Sequence, residues 1–177
     1  MAEFRLLPFS AEGDCGTERT ITGSIERCNR SLEIIYRISG TSENFLHSNQ
    51  QPPSRRHELW RSTCLECFLA CPNSPEYWEM NISPAGSWNV YQFSDYRQGM
   101  QEAFEARQVR IKVSTTPTEQ IFQVHWPLPF PVDNSQPLET GISVILSEDG
   151  DQLSYWALRH PFDRPDFHHR AGLILKI

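Results

Sequence analysis

The chain lacks the long apolar runs, basic blocks and leader peptide that mark membrane, nucleic-acid-binding or exported proteins. No stretch of its 177 residues approaches the roughly 20 apolar residues of a membrane-spanning helix. The formal net charge is −6 and the cations are scattered, whereas phosphate backbones are bound by clustered Lys and Arg. The N-terminus has no basic region followed by an apolar stretch and a cleavage site. We therefore expect a cytoplasmic protein without nucleic-acid or membrane partners.

Sequence motifs that announce an enzyme are missing as well. The chain has no phosphate-binding glycine loop, no Gly-x-Ser-x-Gly and no His-Glu-x-x-His. Nucleotide chemistry therefore has no support, and no resident cofactor is expected.

The five cysteines are an odd number, and without an export signal their thiols are expected to be reduced. Cys64 and Cys67 have the spacing of a zinc half-site, but a second half is missing. On a strand these two side chains would point to opposite faces, and Cys67 and Cys71 would lie roughly 13 Å apart. Buried structural thiols are therefore predicted in preference to a metal site.

Most of the chain alternates apolar and polar residues with period two, which is typical of β-strands. Thirteen prolines and nine glycines separate the runs. The predicted strands cover residues 4–9, 20–28, 32–38, 57–70, 77–82, 88–93, 109–113, 121–126, 141–146, 153–158 and 172–177. Residues 95–107 predict a short helix at most, residues 148–151 a hairpin turn and residues 128–137 an extended connection. The whole chain, residues 1–177, is thus predicted to be one all-β domain, an antiparallel β-sandwich of roughly ten strands.

The hairpin of residues 77–93 combines large aromatic residues with amide and carboxylate groups. Alternation places Glu79 and Asn81 on one face of its first strand and apolar residues on the other, namely Trp78, Met80 and Ile82. Trp88 and Tyr91 of its second strand fall on opposite faces. Aromatic planes beside polar groups suit a flat ligand such as a sugar ring, although the same residues also make a well-packed hairpin.

Two acidic or aromatic positions precede this hairpin. If residues 57–70 form one strand, Trp60 and Glu66 point to the same face. A carboxylate among apolar neighbours needs hydrogen-bond partners, which either the protein or a ligand can supply.

Polar residues after the hairpin complete the candidate set. Arg97 could hold a carboxylate or sugar hydroxyls through its guanidinium, or pair with Asp95 or Glu66. Asp166 and His168 have the composition of a metal site or a proton-transfer pair, and they could also form the lip of a ligand site.

These segments together resemble the DOMON-like family, which is related to the type-9 carbohydrate-binding modules. The resemblance is carried by residues 59–69, 77–84, 88–97, 153–158 and 166–168. It implies a β-sandwich whose relatives bind sugars or haem, usually without catalysis. In the sugar modules a Trp lies six positions before an acidic strand residue, and Trp60 and Glu66 match that spacing. Glu79 and Asn81 match a polar pair on the next strand, with Glu79 where a basic residue is typical.

The resemblance also guides the C-terminal part of the predicted site. A second sandwiching Trp is expected there, and Phe167 is the nearest ring, with His168 beside it. Our main hypothesis is a non-catalytic module that binds a carbohydrate-like ligand, either a small molecule or an oligosaccharide. Its predicted binding residues are Trp60, Glu66, Glu79, Asn81, Trp88, Arg97, Phe167 and His168.

Two alternatives come from other classes of protein. A haem protein would use Met80 or Met100 with His160, in line with the redox relatives of the family. An enzyme would use Glu66, Asp166 and His168 as acid–base groups.

Overall fold

The structure is a computed structural model that describes residues 1–9, 19–40, 52–106, 108–129, 136–147 and 152–177. Twelve strands lie in these ranges: β1 (Ala2–Pro8), β2 (Ile21–Cys28), β3 (Ser31–Ser39), β4 (Cys64–Ala70), β5 (Tyr77–Ile82), β6 (Trp88–Phe93), β7 (Gln101–Glu102), β8 (Arg110–Thr115), β9 (Glu119–Pro127), β10 (Glu139–Ser147), β11 (Leu153–Ala157) and β12 (Leu175–Lys176). Short 3₁₀ helices occupy Leu59–Arg61 and Arg170–Gly172. No helix within these ranges is long and apolar enough to cross a membrane.

The strands form two sheets that are joined through β1. The first sheet has the order β1-β2-β3-β9-β8, and the second has the order β7-β6-β5-β4-β10-β11, with β12 beside β10. The beginning of β1 pairs with β2, whereas Leu7 and Pro8 pair with β11. All these pairings are antiparallel. The result is one curled β-sandwich.

The main core lies between the two sheets. Tyr36 of β3 spans it, since its hydroxyl donates to the backbone oxygen of Glu66 on β4 at 2.9 Å. Burial of each large apolar side chain there contributes about 1.5–3 kcal/mol. The largest fully buried side chains include Trp126, Trp156, Tyr36, Phe68 and Phe122.

The second sheet is covered on its outer face as well. Every residue of β4 and of β5 is buried, although only one face of these strands can meet the main core. A smaller apolar cluster covers the other face, and Leu173 of the C-terminal segment (residues 165–173) packs into it. Gly141 of β10 permits this approach, because a Cβ at that position would lie 3.2 Å from Leu173 Cδ1.

Polar contacts fasten the C-terminal segment over the outer face. Arg170 Nη2 donates to the backbone oxygens of Cys71 at 2.9 Å and Ser74 at 2.5 Å. The same guanidinium lies 3.4 Å from the Glu139 carboxylate. The segment therefore forms a roof over the sheet, with space left beneath it.

The all-β prediction and the face assignments in the hairpin are confirmed. Residues 77–82 and 88–93 are strands with the predicted bounds, and Trp78, Met80 and Ile82 lie in the main core. Cys64 and Cys67 are buried free thiols on opposite faces: Cys67 lies in the main core, whereas Cys64 contacts Asn81.

Three element predictions are wrong. The strand predicted from residue 57 begins at Cys64, because Leu59–Arg61 forms a 3₁₀ helix after Glu58, whose φ is 56°. Residues 95–106 contain turns and β7 in place of the short helix, since Gly99 and Arg97 have positive φ. The last strand is confined to Leu175–Lys176, with the second 3₁₀ helix before it.

Two loop predictions fall wholly or partly outside the described residues. The predicted turn of residues 148–151 lies outside them, as does most of the predicted connection of residues 128–137.

Candidate ligand-binding site

A cavity of about 320 Å³ lies on the outer face of the second sheet, beneath the C-terminal segment. Its walls combine aromatic rings with carboxyl, imidazole and guanidinium groups. Arg97 and Met100 are about half exposed, which places them at its mouth. The lining residues are Trp60, Glu66, Phe68, Glu79, Phe93, Arg97, Met100, Ile145, Tyr155, Pro165, Phe167 and His168.

Strand register brings two carboxyls together on the cavity wall. Glu66 of β4 pairs with Asn81 of β5, and Glu79 lies two residues before Asn81 on the same face. Ser143 Oγ donates to Glu66 Oε2 at 2.8 Å, and Asn81 Nδ2 donates to Glu79 Oε1 at 2.7 Å. Both carboxyls therefore have a neutral donor behind them and face the cavity.

Burial perturbs the acidity of this pair. Glu66 and Glu79 are only 2% and 4% exposed. Desolvation, then the charge of Glu79, raise the pKa of Glu66 from 4.5 to about 8. Desolvation raises the pKa of Glu79 to about 7, against the hydrogen bond from Asn81 and the charge of Arg97. The pair therefore keeps about one proton at neutral pH.

A hydrogen-bond chain sets the tautomer of His168. The Arg97 backbone N–H donates to the Tyr77 hydroxyl at 3.2 Å, and that hydroxyl lies 2.9 Å from His168 Nδ1. Burial raises the pKa of Tyr77 to about 12 and lowers the pKa of His168 to about 4. Both groups are therefore neutral, and Nδ1 is the acceptor that the described residues place within reach of the phenol proton. We accordingly assign Tyr77 as the donor to Nδ1, which puts the imidazole proton on Nε2. That N–H lies 3.9 Å from Glu79 Oε2, too far for a direct hydrogen bond.

Asp166 lies outside the cavity lining and contacts two residues that line it, Arg97 and His168. It is 2% exposed, and its carboxylate accepts from the Tyr96 hydroxyl, from Arg97 Nη2 at 3.1 Å and from the His168 backbone N–H at 3.1 Å. Burial alone would raise the pKa of Asp166, but the Tyr96 hydrogen bond and the Arg97 charge lower it overall. Asp166 is therefore an ionised anchor that fixes Arg97 at the mouth.

The turn that carries Arg97 is strained to meet this anchor. Gln98 N–H donates to the Asp95 backbone oxygen at 2.9 Å, and Arg97 has a φ of 54°. A non-glycine residue in this left-handed region costs on the order of 1 kcal/mol. The contacts of Arg97 with Tyr77 and Asp166 offset that cost.

Aromatic rings surround the polar groups. Trp60 packs edge-on against Tyr91 with centroids 5.6 Å apart, and Phe167 lies 6.2 Å from Tyr155. Phe68 and Phe93 meet the His168 ring edge-on at 5.1 and 5.2 Å. The cavity thus offers flat apolar surfaces around a polar wall.

The structure brings together six of the eight predicted binding residues: Trp60, Glu66, Glu79, Arg97, Phe167 and His168. Trp60 reaches the cavity from a 3₁₀ helix, not from the predicted strand. Asn81 is fully buried and supports Glu79 from behind. Trp88 does not line the cavity, because it faces the main core. The guanidinium carbon of Arg55 lies over its ring, 4.6 Å from the ring centroid.

Sequence reasoning missed the apolar part of the lining. Phe68, Phe93, Ile145 and Tyr155 lie on strands at the same parity as Glu66 or Glu79 in the sheet register. Parity within β4 could have found Phe68, which is two residues from Glu66. Phe93, Ile145 and Tyr155 lie on other strands, so they could be assigned to the cavity only once the order and register of the strands were known.

The groups proposed for haem, metal or acid–base chemistry do not all meet at one place. Glu66, Met100 and His168 line the cavity, whereas the other three lie outside its lining, namely Met80, His160 and Asp166. Met80 is buried in the main core, and His160 Nε2 lies 2.8 Å from the Leu7 backbone oxygen. Within the described ranges no three His, Cys, Asp or Glu side chains are arranged to hold a metal ion. Glu66 and His168 share the cavity, whereas Asp166 is occupied by its three donors.

Comparison with known proteins adds evidence on the fold. No protein-family model matches the sequence, and no curated protein matches it. A solved structure of a proposed carbohydrate-binding protein from Bacteroides uniformis superposes with a TM-score of 0.67 at 14% identity, over 97% of this chain and 83% of that one. Two structures of a family 9 carbohydrate-binding module from Caldicellulosiruptor kristjanssonii also match with TM-scores of 0.48. The glucose complex is 11% identical over 81% of this chain and 69% of that one, and the cellotriose complex is 9% identical over 86% and 71%. At 14% identity the likeness to the Bacteroides uniformis structure establishes a shared fold.

Proposed function

We propose that this protein is a non-catalytic carbohydrate-binding protein whose site is the cavity beneath the C-terminal segment. The observation that carries the proposal is the combination of aromatic rings with two buried carboxyls and an imidazole around one space of about 320 Å³. That volume is at the small end for ligand pockets, and it suits a single sugar ring. The ring would be a monosaccharide or the end of an oligosaccharide.

The apolar faces of a sugar ring would pack on Trp60 and Phe167. Both side chains are partly buried against the outer cluster, so they are held in place before a ligand arrives. Rigid aromatic surfaces lose little conformational entropy on binding.

The polar wall would read the hydroxyls. His168 Nε2–H and Glu79 Oε2 are a donor and an acceptor 3.9 Å apart, a gap in which one hydroxyl can accept from the first and donate to the second. Glu66 supplies a further acceptor, and Arg97 supplies donors at the mouth. Asn81 takes part indirectly, by orienting Glu79.

The fold likeness to the Bacteroides uniformis protein supports this proposal as an analogy, since fold alone does not assign function. The DOMON-like resemblance and the cytoplasmic location remain predictions from the sequence.

The test is a calorimetric screen of neutral and substituted mono- and oligosaccharides against the wild-type protein, at concentrations that detect millimolar dissociation constants. We expect at least one sugar to bind, and Trp60→Ala to weaken it by at least about tenfold, or 1.4 kcal/mol. Phe104→Ala is the matched control, because Phe104 is an 83% exposed ring outside the cavity. Absence of binding across the screen would remove the proposal.

A second measurement separates binding from turnover. The two carboxyls could in principle act as acid and base, so oligosaccharides that bind are incubated with the protein and analysed for cleavage. Intact ligand after prolonged incubation is expected. Cleavage that is lost in Glu66→Gln would instead make the protein an enzyme.

A further inference from the structure

We propose that the ligand carries a protonated amine, bound between Glu66 and Glu79, so that the cavity selects amino sugars over neutral sugars. This inference rests on the proposed function and names its ligand class. It comes from the charge balance of the cavity and from the arrangement of its rings.

Among the residues that the structure describes, the two carboxyls have no Lys or Arg partner. No Lys or Arg within the described ranges comes within 4 Å of either carboxylate, and their hydrogen bonds come from the neutral groups of Ser143 and Asn81. The Arg97 guanidinium forms its ion pair with Asp166 instead. A carboxylate left without a counter-charge is costly to bury. A bound ammonium group would supply that charge.

The imidazole does not fill this role. His168 Nδ1 accepts from Tyr77, and burial together with the nearby Arg97 charge lowers the pKa of His168 to about 4. The ring is therefore neutral at pH 7, and the negative charge that remains on the carboxyl pair is offset only from beyond 4 Å, by the Arg97 guanidinium. In the empty site a shared proton offsets part of that charge, since the pKa of both carboxyls is raised by burial.

The aromatic lining adds a second, independent preference for a cation. The negative faces of aromatic rings attract ammonium groups, most strongly when the cation is desolvated. Phe68, Phe93, Tyr155 and Phe167 line the same space as the two carboxyls. Aromatic rings beside two carboxyls suit an ammonium group, whereas a carboxylated sugar would meet repulsion there.

The experiment compares matched triads by calorimetry at pH 7: glucosamine, galactosamine and mannosamine, each with its parent hexose and its N-acetyl derivative. Amines of this kind are largely protonated at that pH, and the N-acetyl form removes the charge while keeping the nitrogen. We expect one amino sugar to bind at least tenfold tighter than its parent and its N-acetyl form. In Glu79→Gln and Glu66→Gln that preference should fall below threefold, whereas Glu105→Gln, an exposed carboxyl outside the cavity, should keep it.

The possible failures are distinguishable. If the parent hexose or the N-acetyl derivative binds as tightly as the amino sugar, the amine inference is overturned, whereas the proposed carbohydrate binding is kept. Absence of binding across these triads, with binding of other sugars in the wider screen, also overturns it. If neither the triads nor the wider screen contains a sugar that binds, both the amine inference and the proposed carbohydrate binding are overturned. The wild-type panel decides among these outcomes even if a glutamine variant fails to fold.

Discussion

We predict that the stability of this protein falls as the pH rises from 6.5 to 8, because of the buried carboxyl pair, and that Glu66→Gln abolishes that fall. Between pH 6.5 and 8 the folded state holds a proton on Glu66, whose pKa is about 8, whereas in the unfolded chain the same carboxyl is ionised. When the folded state binds more protons than the unfolded state, the free energy of unfolding decreases as the pH rises. The decrease stops once the pH exceeds the pKa of Glu66 in the folded state, because the carboxyl is then ionised in both states.

The magnitude follows from the width of that window. Each pH unit over which one proton is bound only in the folded state lowers the free energy of unfolding by about 1.4 kcal/mol. Glu66 and Glu79, with pKa values of about 8 and 7, together lose about 2 kcal/mol from pH 6.5 to 8.

Two histidines act in the opposite direction. The pKa of His168 is lowered to about 4 and that of His160 is also lowered, in both cases mainly by burial, so their unfolded forms bind more protons. Their contribution rises with pH and is nearly complete by pH 6.5, with less than about 1 kcal/mol left to gain. The expected net fall for the wild-type protein is therefore about 1–2 kcal/mol.

The assay is urea unfolding followed by Trp fluorescence at several pH values from 6.5 to 8. In Glu66→Gln the remaining fall from Glu79 and the rise from the histidines should nearly cancel, which leaves an almost flat profile. Glu105→Gln should retain the wild-type profile, because this carboxyl is exposed. Wild-type stability that stays constant or rises across the window, or an unchanged slope in Glu66→Gln, would refute the reasoning.

Three further predictions test the architecture of the site. Trp88→Ala should lower the free energy of urea unfolding by about 3–5 kcal/mol, because the Trp88 side chain is 7% exposed in the main core. Trp60→Ala should cost less, because Trp60 is only half-buried. A larger cost for Trp60→Ala would contradict the assignment of the two residues to different faces. Tyr77→Phe should remove the donor to His168 Nδ1, so nitrogen NMR should show a neutral Nε2–H tautomer in the wild-type protein and a mixture of tautomers in the variant; a wild-type Nδ1–H form would be inconsistent with the chain of hydrogen bonds. Gly99→Ala should cost about 1–2 kcal/mol and weaken ligand binding, since φ is 62° there and a Cβ would lie 2.2 Å from Ser94 Oγ; unaltered stability would show that the turn relaxes freely.

The strand content and the facing of side chains were predictable because they depend on local alternation. In β5 every second residue is apolar and faces the main core, and the Ser83–Ser87 turn closes with a backbone bond from Gly86 to Ser83 at 2.9 Å. Parity could place Asn81 with Glu79 on one face of β5, but it says nothing of how that face relates to Glu66 on β4. Their meeting depends on the register of the two strands, in which Glu66 pairs with Asn81.

The rest of the cavity was not predictable from the sequence, because it depends on long-range contacts. β4 and β5 are buried on both faces, so their apolar residues show no alternation that separates core from cavity, and in β4 only the parity of Phe68 with Glu66 points to the cavity. Trp60 lies on a 3₁₀ helix that follows a residue with positive φ, which the apolar pattern of the segment conceals. The roof formed by Phe167 and His168 depends on contacts between residues about 70 to 100 positions apart, such as those of Asp166 and Arg170.

The costs concentrated in this one cavity favour a binding role over a structural one. Glu66 and Glu79 would be cheaper to bury as apolar residues, and Arg97 would be less strained as glycine. A sheet that needed only to be covered could have used the apolar cluster of Phe68, Tyr77 and Phe93 without any carboxyl. Features that weaken a fold are expected where function requires them. A ligand that supplies the missing counter-charge would recover part of that stability, since binding to the folded state alone raises the free energy of unfolding.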